Sequence, residues 1–578
     1  MSRGRVAAVL AAVLALGLLA GCASVPSSSS VQVLGKVGEA EGGVLPSGPT
    51  DNVNPLDLVR GFVYASGSSE NRHAVARRFL TADAAGWDDS TSLTVLAEQF
   101  DTVYAVAPAG ADTATVRLRG TRIGRLTPSG AFEPDVLPVQ IDLQVAKDNN
   151  GQWRISGLSG GALVRLSDFQ VSYDAANTYF VDPVRRSPAA DRRYLPSSPA
   201  RSKPSRMVEM LLAGPSAALT GAAVSMVPPT ARLRSNVTDT AEGGVVVDLT
   251  GLGDLDDTGR RLLAAQVVLS LAEVNITRVR LLADGAPLLT DRPDRPDLVA
   301  TDVASLTGQV EPRVDVPGAI VIDGRLRTLA PSGSELGNPV PGPAGSGGVD
   351  VATAALSADG QRLAVVSRQG QLLVGRLGQS LDGTMVPAGR MTRPTWAPGG
   401  AEVWTVLNGT DGARVLVDQE GRTRTGPLIL DELKALGPIA DLRLSRDGVR
   451  VAAVVGGQLA VGAVLRSPTG EVTVRNVRVL RTAEVNNLAA LDWKAADTIA
   501  VAARGAARPV SLVSVDGLNV QQMPGSNLTP PLISIAAGPS RPLLVTDQGG
   551  VWSFTGGELD TWRQVIGGVP SAVPIFPG

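Results

Sequence analysis

The residues whose types and spacing come nearest to a catalytic pattern are Ser159 and the glycines around it. Residues 157–161 read Gly-Leu-Ser-Gly-Gly, which fits the G-x-S-x-G turn that carries the nucleophilic serine of many hydrolases. That chemistry requires a base, usually a histidine that follows the serine in the chain. The one histidine of this chain, His73, comes before Ser159. We therefore interpret residues 157–161 as a glycine-rich turn after a strand.

His73 is also the one side chain that could act as a general base near neutral pH or as an imidazole ligand of a metal ion. Cys22 is the single cysteine, so a zinc site would need three carboxylates, which is not the ligand set that zinc prefers. We expect His73 to be a partly exposed residue in the first turn of a helix. The sequence thus predicts no catalytic residue, no cofactor and no metal site, and it favours a protein that is not an enzyme.

An acidic segment imitates a calcium-binding loop without completing it. Asp254, Asp256 and Thr258 match the start of such a loop, but Ala265 stands where the loop needs a bidentate glutamate. Capping of a following helix by Asp257 or Thr258 explains these residues better.

A second acidic group, Asp291, Asp294 and Asp297, could supply the carboxylate pair of a glycosidase. Arginine and proline alternate with these aspartates. That composition indicates a linker, and we interpret the segment as one.

A cluster of basic residues stands out in the middle of the chain. It could be a solvated loop, or it could dock an acidic partner or the anionic membrane surface. Its members, all within about twenty residues, are Arg185, Arg186, Arg192, Arg193, Arg201, Lys203 and Arg206.

The first residues have the organisation of an export signal. Two arginines precede an apolar run from Val6 to Ala20, which is shorter than the roughly 20 residues of a membrane-spanning helix. The run ends in Leu19-Ala20-Gly21-Cys22, which resembles the bacterial lipobox. We predict a lipoprotein signal peptide over residues 1–21 and a lipid anchor on Cys22. A flexible tether over residues 22–50 follows from its serine and glycine content.

Length and composition indicate several globular domains. The chain has 578 residues, of which 44% are hydrophobic and 19% charged. About 530 residues beyond the tether exceed one hydrophobic core and suggest three or four domains. The formal net charge of −2 argues against nucleic acid as the main partner.

The first half of the chain predicts two small α+β domains. In residues 51–165, Asn54-Pro55 opens a helix, Ala74 to Leu80 form a second one, and alternating strands follow. This order resembles an NTF2-like domain. Residues 170–300 contain TYFVDP, VEMLLAGPS, VVVDLTG and ITRVRLLADG, which together resemble a GerMN domain. The GerMN domain is a binding and assembly module.

Residues 310–578 contain a repeat. Units such as LSADGQRLAVVS, WAPGGAEVWTV, LSRDGVRVAAVV and WKAADTIAVAA recur at intervals of about 40 to 50 residues, as the blades of a β-propeller do. Five units are visible, and GAIVIDGRLRTLA at 318–330 could supply a sixth. Trp396 and Trp493 occupy equivalent positions, and we expect them to pack between blades.

The complete order of lipobox, NTF2-like region, GerMN-like region and propeller resembles the LpqB family of actinobacterial lipoproteins. The segments YFVDPVRRS and VEMLLAGPS are the most characteristic. The resemblance implies a membrane-anchored, extracytoplasmic accessory that binds the sensor domain of the histidine kinase MtrB. It would modulate the MtrAB two-component system and thereby affect cell-wall homeostasis and division. The alternative is a cell-wall glycan-binding or hydrolytic propeller, because propellers often bind ligands at the axial mouth.

Overall fold

The computed structural model describes residues 48–578, except 109, 242, 293, 308–314, 482–483, 506 and 557–560. Residues 48–578 form one compact unit. The predicted signal peptide, Cys22 and most of the predicted tether lie outside the described residues. Within the described ranges, none of the helices is long and apolar enough to cross a membrane. The predicted fold class, two small α+β domains followed by an all-β propeller, is confirmed.

The N-terminal domain is a curved five-stranded sheet that wraps around one helix. The sheet order is β4-β3-β2-β1-β5, in which β1 and β5 run parallel and the other neighbours run antiparallel. Its elements are α1 (Pro55–Ala65), α2 (Ala74–Arg77), a 3-10 turn (Asp83–Gly86), β1 (Leu93–Val106), β2 (Thr113–Leu126), β3 (Phe132–Lys147), β4 (Trp153–Gly157) and β5 (Ala162–Arg165).

Helix α1 begins where the sequence predicts it. The side chain of Asn54 accepts a hydrogen bond from the Asp57 amide at 3.0 Å, and Pro55 occupies the first turn. Leu58 and Phe62 then face the concave side of the sheet and are fully buried. Helix α2 is shorter than predicted, because the chain from Phe79 to Thr81 leaves it to bond with Ile155 of β4.

The expectation that His73 is partly exposed is wrong. His73 is 5% exposed and takes a left-handed backbone conformation (φ 54°) just before α2. Its ring lies 6.0 Å from the ring of Trp87, which also packs edge-on against Phe62. Burial lowers the pKa of His73, although Asp89 partly opposes that shift.

The central domain combines a β-hairpin, two main helices and a small mixed sheet. Strands β6 and β7 form a two-stranded antiparallel sheet, whereas β10 and β11 run parallel at the centre of the mixed sheet. The elements are α3 (Leu166–Ser172), β6 (Tyr173–Val181), β7 (Pro188–Pro196), α4 (Lys203–Leu212), β8 (Arg232–Leu233), β9 (Thr238–Asp239), β10 (Val245–Thr250), α5 (Asp257–Ala272), β11 (Val279–Ala283), β12 (Ala286–Pro287), β13 (Asp297–Leu298) and α6 (Ala304–Thr307), with 3-10 turns at Ala200–Ser202, Ala217–Leu219 and Ala300–Asp302.

The acidic segment before α5 caps that helix. The N-cap is Asp256, not Asp257 or Thr258 as predicted, and its carboxylate accepts the amide of Gly259 at 2.7 Å. Asp257 lies in the first turn, where the helix dipole favours a negative charge. The interpretation of this segment as a cap is therefore correct, and the capping residue is one position earlier.

The remaining strands form six sheets of four or five strands in the described part of the chain, arranged as a ring of blades. The strands of the first three blades are β14 (Gly318–Ile322), β15 (Arg325–Leu329) and β16 (Leu336–Pro339); β17 (Val351–Leu356), β18 (Arg362–Ser367), β19 (Leu372–Arg376) and β20 (Leu381–Gly383); and β21 (Thr395–Trp396), β22 (Glu402–Leu407), β23 (Asp411–Val417) and β24 (Thr423–Gly426). The short helix α7 (Pro343–Ser346) precedes β17, and a 3-10 turn (Pro398–Gly400) precedes β22.

Blade 4 has an extra parallel edge strand, and the last strand of the propeller returns to blade 1. Blade 4 consists of β25 (Leu428–Ile429), β26 (Ile439–Leu444), β27 (Arg450–Val455), β28 (Gln458–Arg466) and β29 (Val472–Leu480). Blade 5 consists of β30 (Leu488–Ala495), β31 (Thr498–Ala503), β32 (Val510–Ser514) and β33 (Val520–Gln522). Blade 6 consists of β34 (Ser534–Ala536), β35 (Leu543–Asp547), β36 (Gly550–Phe554) and β37 (Arg563–Gly567), and the last strand is β38 (Val573–Ile575). Helix α8 (Asp431–Lys434) follows β25. Strand β38 pairs with β14 and so provides the innermost strand of blade 1.

The two equivalent tryptophans make the same contact between blades. The indole nitrogen of Trp396 donates to the carbonyl of Ala355 at 3.0 Å, and that of Trp493 donates to the carbonyl of Arg443 at 3.1 Å. Each acceptor lies on the innermost strand of the preceding blade. The prediction that these residues pack between blades is confirmed.

Candidate functional site

The β6–β7 hairpin of the central domain docks on the propeller and carries two of the predicted basic residues, Arg185 and Arg192, into the contact. Its turn is shaped by Asp182, whose carboxylate accepts the amides of Val184 at 2.8 Å and Arg185 at 3.0 Å. This turn directs Arg185 towards blade 3, while Arg192 and Arg193 project from β7. We call the contact between this hairpin and the propeller the hairpin–propeller interface.

Glu402 of β22 is the centre of the first contact. Three guanidinium groups reach its carboxylate at 2.6 Å, those of Arg185, Arg414 and Arg466. Glu402 is 4% exposed, and burial alone would raise the pKa of its carboxyl. The three arginines outweigh burial and hold the pKa of Glu402 below its ordinary value. The carboxylate therefore stays ionised.

Arg185 is also affected by this crowding of like charges. Burial, followed by repulsion from Arg466, lowers its pKa to about 10. The guanidinium remains charged at neutral pH, and its second nitrogen donates to the carbonyl of Gly448 at 3.3 Å. Arg185 therefore joins the hairpin turn to the propeller through the buried carboxylate of Glu402.

Arg192 makes the second contact, with blade 5. Its guanidinium pairs with Asp497, lies 3.8 Å from Asp516 and donates to the hydroxyl of Tyr194 at 3.0 Å. Beside it, the amide of Ala190 donates to Asp447 at 3.2 Å. Asp447 and Asp516 belong to Ser-x-Asp-Gly turns of the propeller repeat, so the repeat turns supply acceptors for the hairpin.

Arg193 ties the hairpin to the N-terminal domain. Its side chain is fully buried and donates to the carbonyls of Ser129 and Gly214, each at 2.8 Å. Its charge is balanced by Asp191 at 2.7 Å. The adjacent amide of Tyr194 donates to the carbonyl of Gly130 at 2.8 Å. The hairpin therefore contacts all three domains.

These contacts correct the prediction for the basic cluster. Arg185, Arg192 and Arg193 form neither a solvated loop nor a docking patch, because acidic residues of the same chain neutralise their charges. Lys203 pairs with Asp174 at 2.6 Å, on the surface of the central domain. The exposed members of the cluster are Arg186, Arg201 and Arg206.

A second buried charge cluster lies where the inner strands of the propeller meet. Arg443 donates to Asp492 at 3.3 Å and to the carbonyls of Pro394 and Gly578 at 2.6 and 3.1 Å. Burial lowers the pKa of Arg443 to about 10. Arg393 reaches across the ring to the carbonyls of Leu491 and Ile535.

The carboxylates of this cluster are committed to internal bonds. Burial opposes ionisation of Asp492, but Arg443 and Arg393 lower its pKa below the ordinary value. Asp441 accepts the amide of Leu491 at 3.2 Å and lies 3.6 Å from Arg393. Sequence reasoning missed these residues, although an arginine within the apolar strand LRLSRDG was a usable signal.

The segments that resemble catalytic motifs make structural contacts. Residues 157–161 form the turn between β4 and β5, where the carbonyl of Gly161 accepts the indole proton of Trp87 at 3.1 Å. Asp291 and Asp297 pair with Arg261 and Arg280 at 2.5 and 2.8 Å. Among the described residues, no group of three or more His, Cys, Asp or Glu could hold a metal ion.

Comparisons with known proteins cover almost the whole chain. Residues 48–170 match the family model of the N-terminal domain of lipoprotein LpqB, and residues 328–577 match that of the LpqB β-propeller domain. Between them, residues 177–289 match a family model described as sporulation and spore germination.

Full-length relatives agree with these matches. Lipoprotein LpqB of Rhodococcus jostii is 32% identical, over 100% of this chain and 98% of its own length. The LpqB lipoproteins of Mycolicibacterium smegmatis and Mycobacterium tuberculosis are each 33% identical; the first covers 98% of this chain and 100% of its own length, and the second covers 97% of both. The chain therefore belongs to the LpqB family of lipoproteins.

Proposed function

We propose that this chain is a non-catalytic accessory, held on the extracytoplasmic face of the cell membrane by lipid on Cys22. In this proposal it binds the sensor domain of the histidine kinase MtrB and modulates signalling by the MtrAB two-component system. Cell-wall homeostasis and division would respond to that signal. The similarity to LpqB lipoproteins along the full chain is the observation that carries the proposal.

The domain contacts support a binding role of this kind. The hairpin joins the N-terminal domain, the central domain and the propeller through buried ion pairs, so a partner meets a composite surface. Because Arg185, Arg192 and Arg193 are used internally, the kinase must bind elsewhere. Exposed basic residues of the central domain, including Arg186, Arg201 and Arg206, remain accessible to an acidic partner.

The kinase assignment is tested by binding with purified proteins. The sensor domain of MtrB is immobilised, and the full chain is passed over it in detergent. We expect saturable binding, and none to the sensor domain of an unrelated histidine kinase. Equal binding to both sensor domains, or to neither, would remove MtrB from the proposal.

The anchor is tested separately by detergent-phase partitioning. The wild-type chain is expected in the detergent phase and Cys22→Ala in the aqueous phase, because the variant lacks the sulfur that carries the lipid. Mass spectrometry of the mature N-terminus then identifies the modification. A Cys22→Ala protein that still partitions into detergent would contradict the predicted anchor without affecting the binding result.

A further inference from the structure

A groove of about 520 Å³ crosses the N-terminal domain on the face of the sheet that points away from α1. Thr94 of β1 lies on this face, since it alternates with the core residues Leu93 and Val95. The strand register places Arg125 of β2 on one side of Thr94 and Leu163 of β5 on the other. We call this surface the outer-face groove.

The charged residues that line the outer-face groove are both basic. They are Arg122 and Arg125, and none of the described lining residues is acidic. Arg125 is exposed, and its guanidinium forms no ion pair or hydrogen bond with a described residue. Arg122 pairs through one terminal nitrogen with Asp135, while its Nε is buried without a hydrogen-bond partner in the described chain. Both guanidinium groups therefore have unused donor capacity.

The remaining lining combines apolar and neutral polar groups. Pro138 and Leu163 supply apolar surface, and Gln140 and Ser159 supply an amide and a hydroxyl. The volume lies within the roughly 300–1,000 Å³ of typical ligand sites. An extended peptide offers this combination, because its side chains alternate and its amides need polar partners.

We propose that the outer-face groove binds an extended acidic peptide segment, with its carboxylates on Arg122 and Arg125 and its apolar side chains on Pro138 and Leu163. Guanidinium groups bind carboxylates through paired, charge-assisted hydrogen bonds. The residues that imitate a hydrolase turn, including Ser159, then line a binding surface. The proposal is independent of the kinase assignment, since it concerns a site whose lining residues all belong to the N-terminal domain.

The test uses the full chain and a blocked synthetic peptide of alternating glutamate and valine, Ac-Glu-Val-Glu-Val-NH2, labelled for fluorescence anisotropy. We expect saturable binding that weakens at least tenfold with Arg125→Gln, which corresponds to about 1.4 kcal/mol. Arg424→Gln, which changes an exposed strand arginine of the propeller, is the matched control and should bind as the wild type does. Raising the ionic strength should weaken binding as well.

Further arms identify what the groove recognises. The matching glutamine–valine peptide should bind at least tenfold more weakly, and equal binding of the two peptides would overturn the proposal. An anionic glycan such as polygalacturonate that competes more strongly than the acidic peptide would also overturn it. Arg122→Gln serves as a second variant, with circular dichroism to establish folding, because Arg125→Gln does not disturb a buried ion pair. Wild-type affinity in both variants would exclude the groove as the site.

Discussion

The hairpin–propeller interface and the outer-face groove use the same residue type in opposite ways. In the interface, Arg185 is mostly buried against Glu402, which also binds two further arginines. In the groove, Arg125 is exposed and has no acidic partner in the described chain. Removing a buried partner leaves an uncompensated charge, whereas an exposed arginine is already solvated. Charge at the interface therefore holds the domains together, and charge in the groove remains available to a ligand.

The largest effect is expected from Glu402→Gln. The change leaves three largely buried guanidinium groups without their shared carboxylate, and we expect the free energy of unfolding to fall by about 3–5 kcal/mol. Urea denaturation followed by tryptophan fluorescence measures it. Glu420→Gln is the control, because Glu420 is a surface residue paired with Arg422 and should unfold as the wild type does. An equal effect of the two substitutions would remove the distinction between buried and exposed charge.

A smaller effect is expected from Arg185→Gln. Glu402 still binds two arginines in this variant, so we expect the free energy of unfolding to fall by about 1–3 kcal/mol. We also expect faster hydrogen exchange in the hairpin turn at residues 182–187. The neighbouring Arg186→Gln should change neither quantity, since Arg186 is exposed. Unchanged exchange in Arg185→Gln would show that the ion pair does not hold the turn on the propeller.

The imidazole of His73 is a buried group that can lose or gain a proton near neutral pH, unlike the arginines compared above. Burial places its pKa below the ordinary value of 6.5. As the pH falls below 6.5, the unfolded chain binds a proton before the folded chain does. The free energy of unfolding therefore decreases as the pH falls from 6.5 to the pKa of the folded state. Because the chain has one histidine, imidazole NMR gives a single titration, whose midpoint we expect below 6.5. A midpoint at or above 6.5 would contradict the burial argument, and His73→Gln should abolish the signal.

The smallest effect on stability is expected from Arg125→Gln. Its guanidinium is exposed, so the urea midpoint should stay at the wild-type value. The same variant should lose peptide binding, which separates the role of the groove from a structural role. A clear drop in the urea midpoint would mean that Arg125 stabilises the fold and would remove the contrast with Arg185.

Local signals in the sequence were sufficient for the propeller and for the helix starts. The repeated turns and the equivalent positions of Trp396 and Trp493 predicted blades, and both tryptophans donate to the preceding blade. Asn54 predicted the start of α1 because capping depends on residues three positions apart. These features rest on contacts near in sequence or on an exact structural repeat.

The charge partners could not be predicted in the same way. Glu402 and Asp497 lie 217 and 305 residues from the arginines that they bind, and nothing near Arg185 or Arg192 in the sequence identifies them. His73 was mistaken for a partly exposed residue because its burial depends on Trp87, which a separate turn brings over it. The prediction for Cys22 remains a prediction.

The pairing of β38 with β14 has a consequence for the order in which the ring is completed. Blade 1 lacks its innermost strand until residues 573–575 arrive, about 250 residues after β14 has emerged. At a synthesis rate of roughly 5–20 residues per second, β14 presents open backbone donors and acceptors for on the order of 10–50 s. During that interval the open edge of β14 can pair with a strand of another chain, and a chaperone that covers this edge would protect the newly made protein from aggregation.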